Sequence, residues 1–208
     1  MALAHGVASI VTDSLVLALD AGNTKSYPGS GTAWTDTVGG NIGTLTNGPT
    51  FNSANGGSIV FDGTNDQINC GSSDDFAFGT GNFAIEFWFN ADGGGGIISI
   101  SPGSNAATNW QIRYSSSKIR WIYSGTSSIE SSTLSTGQWF HVVATRSGTA
   151  LTLYINAVSE ATGTSSANLS DSGVLRIGRN RDGISPVSYT HLRAHETRGN
   201  LVCRLLLE

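Results

Sequence analysis

The chain has 208 residues, of which 12% are charged, with 27 glycines and a formal net charge of -4. That length suits one undivided all-β domain, and the low charge with plentiful Gly, Ser, Thr and Asn reads as many short strands joined by tight turns. The acidic balance argues against a basic nucleic-acid face, and no run nears the roughly 18 apolar residues of a membrane helix, so neither nucleic acid nor membrane insertion is expected.

Residues 1–10 form a lead segment without a cationic start or a continuous apolar run, so no signal peptide is recognisable. Leu15 to Leu19, L-V-L-A-L, reads as a buried strand stopped by the turn formers D-A-G-N. Residues 29–55 are a Gly/Thr/Asn-rich excursion, and Ser58 to Asp62 and Gln67 to Cys70 are the next strands, separated by G-T-N-D. Cys70 reads as an unbridged, half-buried thiol, because two cysteines give no disulfide framework.

Phe83 to Phe89 alternates strictly, which puts Phe83, Ile85, Phe87 and Phe89 on a core face and Ala84, Glu86 and Trp88 on the other. After the flexible G-G-G-G come Ile97 to Ile100 and then a hairpin, Asn109 to Tyr114 with Lys118 to Tyr123, joined by S-S-S. Trp110, Ile112 and Tyr114 match Ile119, Trp121 and Tyr123 on one face of it, and Gln111, Arg113, Lys118 and Arg120 share the solvent face. Trp139 to Thr145, Leu151 to Asn156 and Val174 to Gly178 complete the strands. The predicted fold is all-β, a two-sheet antiparallel sandwich.

From Val187 the style changes to V-S-Y-T-H-L-R-A-H-E-T, then R-G-N, then L-V-C-R-L-L-L-E. This string resembles a transposase-type sequencing adapter read through as protein. The adapter's reading frame allows only Ser, Pro, Thr or Ala before Val187, and only Asn, Asp, His or Tyr at position 200; Pro186 and Asn200 comply. Residues 186–208 are therefore read as an adapter-derived tail, and the cluster His191, His195 and Glu196 is set aside as a metal site although its spacing suits one.

L-V-L-A-L-D-A-G-N, W-T-D, F-D-G-T-N-D, F-A-I-E-F-W-F, Q-W-F-H-V-V-A-T-R, L-Y-I-N and L-R-I-G-R-N, in that order, resemble the laminin-G-like, concanavalin A-like jelly-roll family, especially its phage and environmental virus members. The resemblance runs from about Val11 to Asn180, within a domain read as residues 11–185. It implies a further strand after L-R-I-G that pairs near the first one; that strand is missing from the text, so the jelly roll is expected to be truncated, with unpaired backbone beside Leu15 to Leu19. It also implies a virion or extracellular setting and a glycan or surface-polymer ligand.

The glucanase branch of the family carries E-x-D-x-E, since two carboxylates must flank the bond, whereas the comparable strand here has Glu86 alone. His141 lies within a strand and no G-x-S-x-G elbow is present, so no enzyme is expected. Family members often hold Ca²⁺ with carboxylates and loop carbonyls, which points to Asp36 with Asn41, and to Asp62 and Asp66; the alternative is that these side chains cap turns. Sugar stacking needs exposed aromatic rings, and the loop residues Trp34 and Tyr27 are the candidates, the hairpin aromatics being assigned to the core. The expected function is non-catalytic binding of a glycan or surface polymer; the alternative is a structural module decorating a virion through contacts with neighbouring virion proteins.

Overall fold

The computed structural model describes residues 14–91, 93–101, 108–125 and 127–179, with backbone alone at 91, 101, 190–193, 195–196, 200–201 and 203–207. In chain order the strands begin with β1 (Leu15–Leu19), β2 (Ala33–Thr35), β3 (Ile42–Thr46), β4 (Thr50–Asn52), β5 (Ser58–Phe61) and β6 (Gln67–Ser72). They continue with β7 (Phe83–Ala91), β8 (Gly95–Ser101), β9 (Trp110–Ser115), β10 (Lys118–Tyr123), β11 (Ser128–Glu130) and β12 (Trp139–Ser147). The last are β13 (Ala150–Ile155), β14 (Val158–Thr164), β15 (Val174–Ile177), β16 (Thr190–Arg193), β17 (His195–Glu196), β18 (Asn200–Leu201) and β19 (Cys203–Leu207).

Two antiparallel sheets form the sandwich. The larger runs β14-β13-β12-β7-β16-β5-β4, with β19 joining β7 to β1; the smaller runs β11-β10-β9-β8-β15-β6-β3-β2. A strand buried on one face must alternate apolar and polar residues, and β7 does so: Phe83, Ile85, Phe87 and Phe89 are at most 3% exposed while Glu86 and Trp88 are half-buried on the opposite face. The two inner faces meet through rings. Phe83 is edge-on to Trp121, Phe89 packs on Tyr114, and Phe78 stacks between Phe83 and Trp110 with centroid separations of 4.0 and 5.1 Å. Each such ring removed from water contributes on the order of 2–3 kcal/mol.

The hairpin forms in the expected register, Ile112 opposite Trp121 and Tyr114 opposite Ile119. Its two turn residues, Ser116 and Ser117, both adopt positive φ, 54° and 60°, the backbone that a two-residue loop needs in order to follow the strand twist. Gln111 lies on the outward face as expected yet is only 2% exposed.

Several expectations change. The 29–55 excursion contains three strands, β2 to β4, and in the first two Trp34, Gly43 and Leu45 alternate inward between more exposed neighbours. Strands β11 and β14 were hidden by their polar text, S-I-E and V-S-E-A-T-G-T. Cys70 is buried rather than half-buried, at 4% exposure. The edge beside β1 is covered: β19 pairs with it, Leu15 to Leu206 and Leu19 to Cys203, and also with β7, Leu207 to Phe83 and Arg204 to Glu86. β16 lies between β5 and the other end of β7, with Leu192 opposite Ile59 and Phe89. The slot assigned to a missing strand is thus filled by the C-terminal residues, because ladder hydrogen bonds demand an extended backbone more than a particular sequence.

Buried Arg146, 2% exposed, ends the A-T-R motif and ties β12 to two loops. Its guanidinium donates to the carbonyls of Gly81, Ala167 and Gly79 at 2.8, 2.9 and 2.6 Å and lies 5.0 Å from the centroid of the Phe83 ring.

Candidate functional site

Asp36 is built into a turn. One carboxylate oxygen accepts from the amides of Ala18 and Val38 at 2.8 and 3.0 Å; the other accepts from Gly39 N at 2.9 Å and from Asn41 N and Nδ2 at 3.3 Å. A side chain at Gly39 would place its Cβ 2.3 Å from the Val16 carbonyl oxygen and 2.8 Å from the Asp36 carboxylate, so the turn requires glycine. Five N–H groups converging on one buried carboxylate already satisfy its charge, and a cation there would face the positive ends of those dipoles. Asp36 and Asn41 as placed do not fit Ca²⁺; they fasten the W-T-D loop to β1.

Asp62 is exposed and caps the G-T-N turn through Thr64 N at 2.8 Å and Asn65 N at 3.4 Å. Asp66, 2% exposed, accepts from Asp62 N at 2.9 Å, while its other oxygen, Oδ1, has no hydrogen-bond partner. Burial, and secondarily the charge on Asp62, push the Asp66 pKa up against the lowering effect of that hydrogen bond. These two carboxylates supply the start of an oxygen cage, but Ca²⁺ takes 6–8 oxygens, and among the described residues no group of three His, Cys, Asp or Glu comes together.

The aromatic candidates are in the core. Trp34 is 2% exposed and Tyr27 3%; they meet edge to face at 6.5 Å, Tyr27 also packs on Phe51, and its hydroxyl donates to the Gly31 carbonyl at 2.8 Å. Trp34 presents no ring face to solvent, while Tyr27 borders a hollow of about 270 Å³ lined by Gly22, Thr24, Pro28 and Phe51.

Partly exposed rings gather instead on the outer face of the larger sheet. His141 stands opposite Trp88, and Tyr154 opposite Val143, which itself faces Glu86. The His141 and Trp88 rings stack at 5.1 Å with 25° between their planes, and His141 Nε2 lies 3.0 Å from Glu86 Oε1. The carboxylate thus orients the imidazole, and the imidazole supports the indole. Trp139 and Asn90, also half-buried, occupy the next cross-strand pair on this face. Two indoles, a phenol, an imidazole, an amide and a carboxylate on one surface can stack on a pyranose or furanose and bond its hydroxyls. Trp88 and Glu86 were visible in the sequence as the outward residues of β7; their union with His141 required the β7–β12 register.

A family model described as the concanavalin A-like lectin/glucanases superfamily matches residues 62–189. No curated protein sequence matches the chain. Among solved structures, a mutant of HCR/D is similar over 94% of this chain and 48% of its own, at 17% identity and a TM-score of 0.67. Trypanosoma rangeli sialidase in complex with 2,3-difluorosialic acid is similar over 93% of this chain and 31% of its own, at 16% identity and a TM-score of 0.65. Domain 4 of AbnA, a GH43 extracellular arabinanase from Geobacillus stearothermophilus, in complex with arabinotriose, is similar over 93% of this chain and 92% of its own, at 14% identity and a TM-score of 0.62. This chain thus spans about half of the first of these proteins and about a third of the second, and at such identities the likeness is one of fold. With the sandwich, its register and the family match over more than half of its residues, the chain belongs to the concanavalin A-like lectin/glucanases superfamily.

Proposed function

We propose that the chain is a non-catalytic carbohydrate-binding module that receives its glycan on the outer face of the larger sheet. The observation that carries this is the stacked pair of Trp88 and His141, with Trp139 and Asn90 in the cross-strand row on one side of it and Glu86 and Tyr154 in the row on the other. Stacking rings next to planar hydrogen-bonding groups are what sugar recognition requires. A binding role without hydrolysis is supported by the company Glu86 keeps: its described partner is an imidazole, where glycoside hydrolysis needs a second carboxylate about 5 Å away in the retaining mode. The arabinotriose held by the arabinanase domain makes arabino-oligosaccharides a first probe.

The setting that suits such a module is a virion or an extracellular surface carrying polymer-bound sugars. Any calcium contribution belongs at Asp62 and Asp66, where the unpartnered Asp66 Oδ1 would serve as a ligand. The test is titration of the full chain with a panel of neutral oligosaccharides, followed by tryptophan fluorescence. Binding that Trp88→Ala abolishes supports the reading; a blank panel with co-purification on particles favours a structural decoration role instead.

A further inference from the structure

The opposite sheet carries a second feature that sugar stacking does not use. Where β8 pairs with β9, Gly96 stands opposite Arg113 and Gly95 opposite Tyr114, and the register shifts between Gly96 and Ile98. With no side chains on one strand, the outward surface sinks into a hollow of about 260 Å³ lined by Gly94, Gly95, Gly96, Arg113, Ser115 and Ser116. Across the hairpin, Arg113 stands directly opposite Arg120, a like-charge pairing that disfavours the sheet unless each charge is answered.

Arg120 is answered. It hydrogen-bonds and ion-pairs with Glu130, which Lys118 also approaches at 3.7 Å, and the Arg120 hydrogen bond holds the Glu130 carboxyl below its usual range. Arg113 has no acidic partner among the described residues, and its Nε is enclosed with no hydrogen-bond acceptor. An enclosed donor left unsatisfied costs roughly 1–3 kcal/mol. The chain as a whole is acidic, so this is a local cationic point and not part of a basic surface.

We propose that the Gly94–Gly96 hollow is a binding site for an oxyanion, the carboxylate or sulfate group of an acidic polysaccharide, with Arg113 as its charge partner. The two terminal nitrogens of the guanidinium match two oxygens of such a group at once, the enclosed Nε taking no part. The glycines let the sugar ring approach the strand backbone, and the Ser115 and Ser116 hydroxyls are placed to bond the ring. The site is independent of the neutral-sugar platform, which lies on the outer face of the other sheet.

The experiment measures binding of the full chain to three oligosaccharides of matched length: oligogalacturonate, sulfated dextran and plain dextran, by calorimetry at low and moderate salt. The acidic ligands are expected to bind more tightly than dextran, and the tighter of the two names the group. Arg113→Gln should weaken that binding by at least about tenfold, while Arg120→Gln changes it less than about threefold and Trp88→Ala leaves it intact. Equal loss in Arg113→Gln and Arg120→Gln, which would mark a diffuse field effect, or no preference for acidic ligands, overturns the proposal. Should Arg113→Gln fail to fold, backbone amide shifts of Gly94 to Gly96 during titration of the unmodified protein decide: shifts centred there are expected, and their absence refutes the site.

Discussion

Replacing Arg146 with Met should destabilise the sandwich more than most single changes outside the aromatic core. The guanidinium supplies three hydrogen bonds to carbonyls in two loops, 79–81 and 167. Of those carbonyls, Gly79 retains a bond from Leu169 N and Gly81 lies at an exposed position where water can replace the guanidinium, so the substitution orphans one half-buried acceptor, at Ala167. At roughly 1–3 kcal/mol for that orphan, with the contact to the Phe83 ring also lost and relief of the buried charge offsetting part, the net cost is about 2–3 kcal/mol. For a chain of this size that lowers Tm by about 4–12 °C, at roughly 2–4 °C per kcal/mol. Burial presses the guanidinium pKa down, but from so high a starting value that it stays charged through neutral pH. Arg146→Lys keeps the charge without the fork that reaches three carbonyls, and should recover less than half of the loss. Differential scanning calorimetry gives the shift, and hydrogen exchange should show lost protection at Gly81 and Leu169, in the two anchored loops, before β12 itself opens. An Arg146→Met protein with unchanged Tm would refute the anchoring role.

Three further predictions follow from the turns and the C-terminal strands. Asp36→Asn turns a carboxylate that accepts five hydrogen bonds into a group with one acceptor oxygen, and should cost about 2–4 kcal/mol; calcium or a chelator should leave the Tm of the unmodified protein unaffected through this turn, whereas a calcium-dependent rise in that Tm that Asp36→Asn abolishes would restore Asp36 as a ligand. Asp66 has a raised folded pKa, so the folded state holds its proton more tightly than the unfolded chain and stability declines as pH rises from the ordinary aspartate range through the raised value; Asp66→Asn should flatten that decline and raise Tm at pH 7 in calcium-free buffer, and an unchanged pH profile by calorimetry would contradict it. Removing residues 187–208 takes away β16 and β19 and bares the backbone of β1 and of one edge of β7, so the shortened chain should associate and melt less cooperatively; sedimentation showing a monomer with undiminished Tm would count against those pairings.

The strict alternation of β7 and the matched aromatics of the hairpin were readable as sheet text because each strand buries one whole face, and the structure places Phe83 to Phe89 and Trp110 to Tyr123 accordingly. Residues 29–55 misled because glycine and threonine strands look like loop text. Trp34 then appeared to be a loop aromatic when it fills the space beside Gly43 in the core. The carboxylates were named from the family resemblance of W-T-D and F-D-G-T-N-D, but only coordinates distinguish Asp36, surrounded by amides, from Asp66, left with a bare oxygen. The Glu86, His141 and Trp88 cluster joins residues more than fifty positions apart, and the pairing that unites them depends on a register that no local pattern encodes.

The central claim is that the outer face of the larger sheet binds a glycan through Trp88. Fluorescence titration of the full chain and of Trp88→Ala with neutral oligosaccharides, arabinotriose among them, tests it most directly. Saturable binding by the unmodified protein is expected, with a loss of at least about tenfold on removing the stacking indole in a variant that circular dichroism shows to be folded. Binding of equal strength in both proteins, or none across the panel, would contradict it.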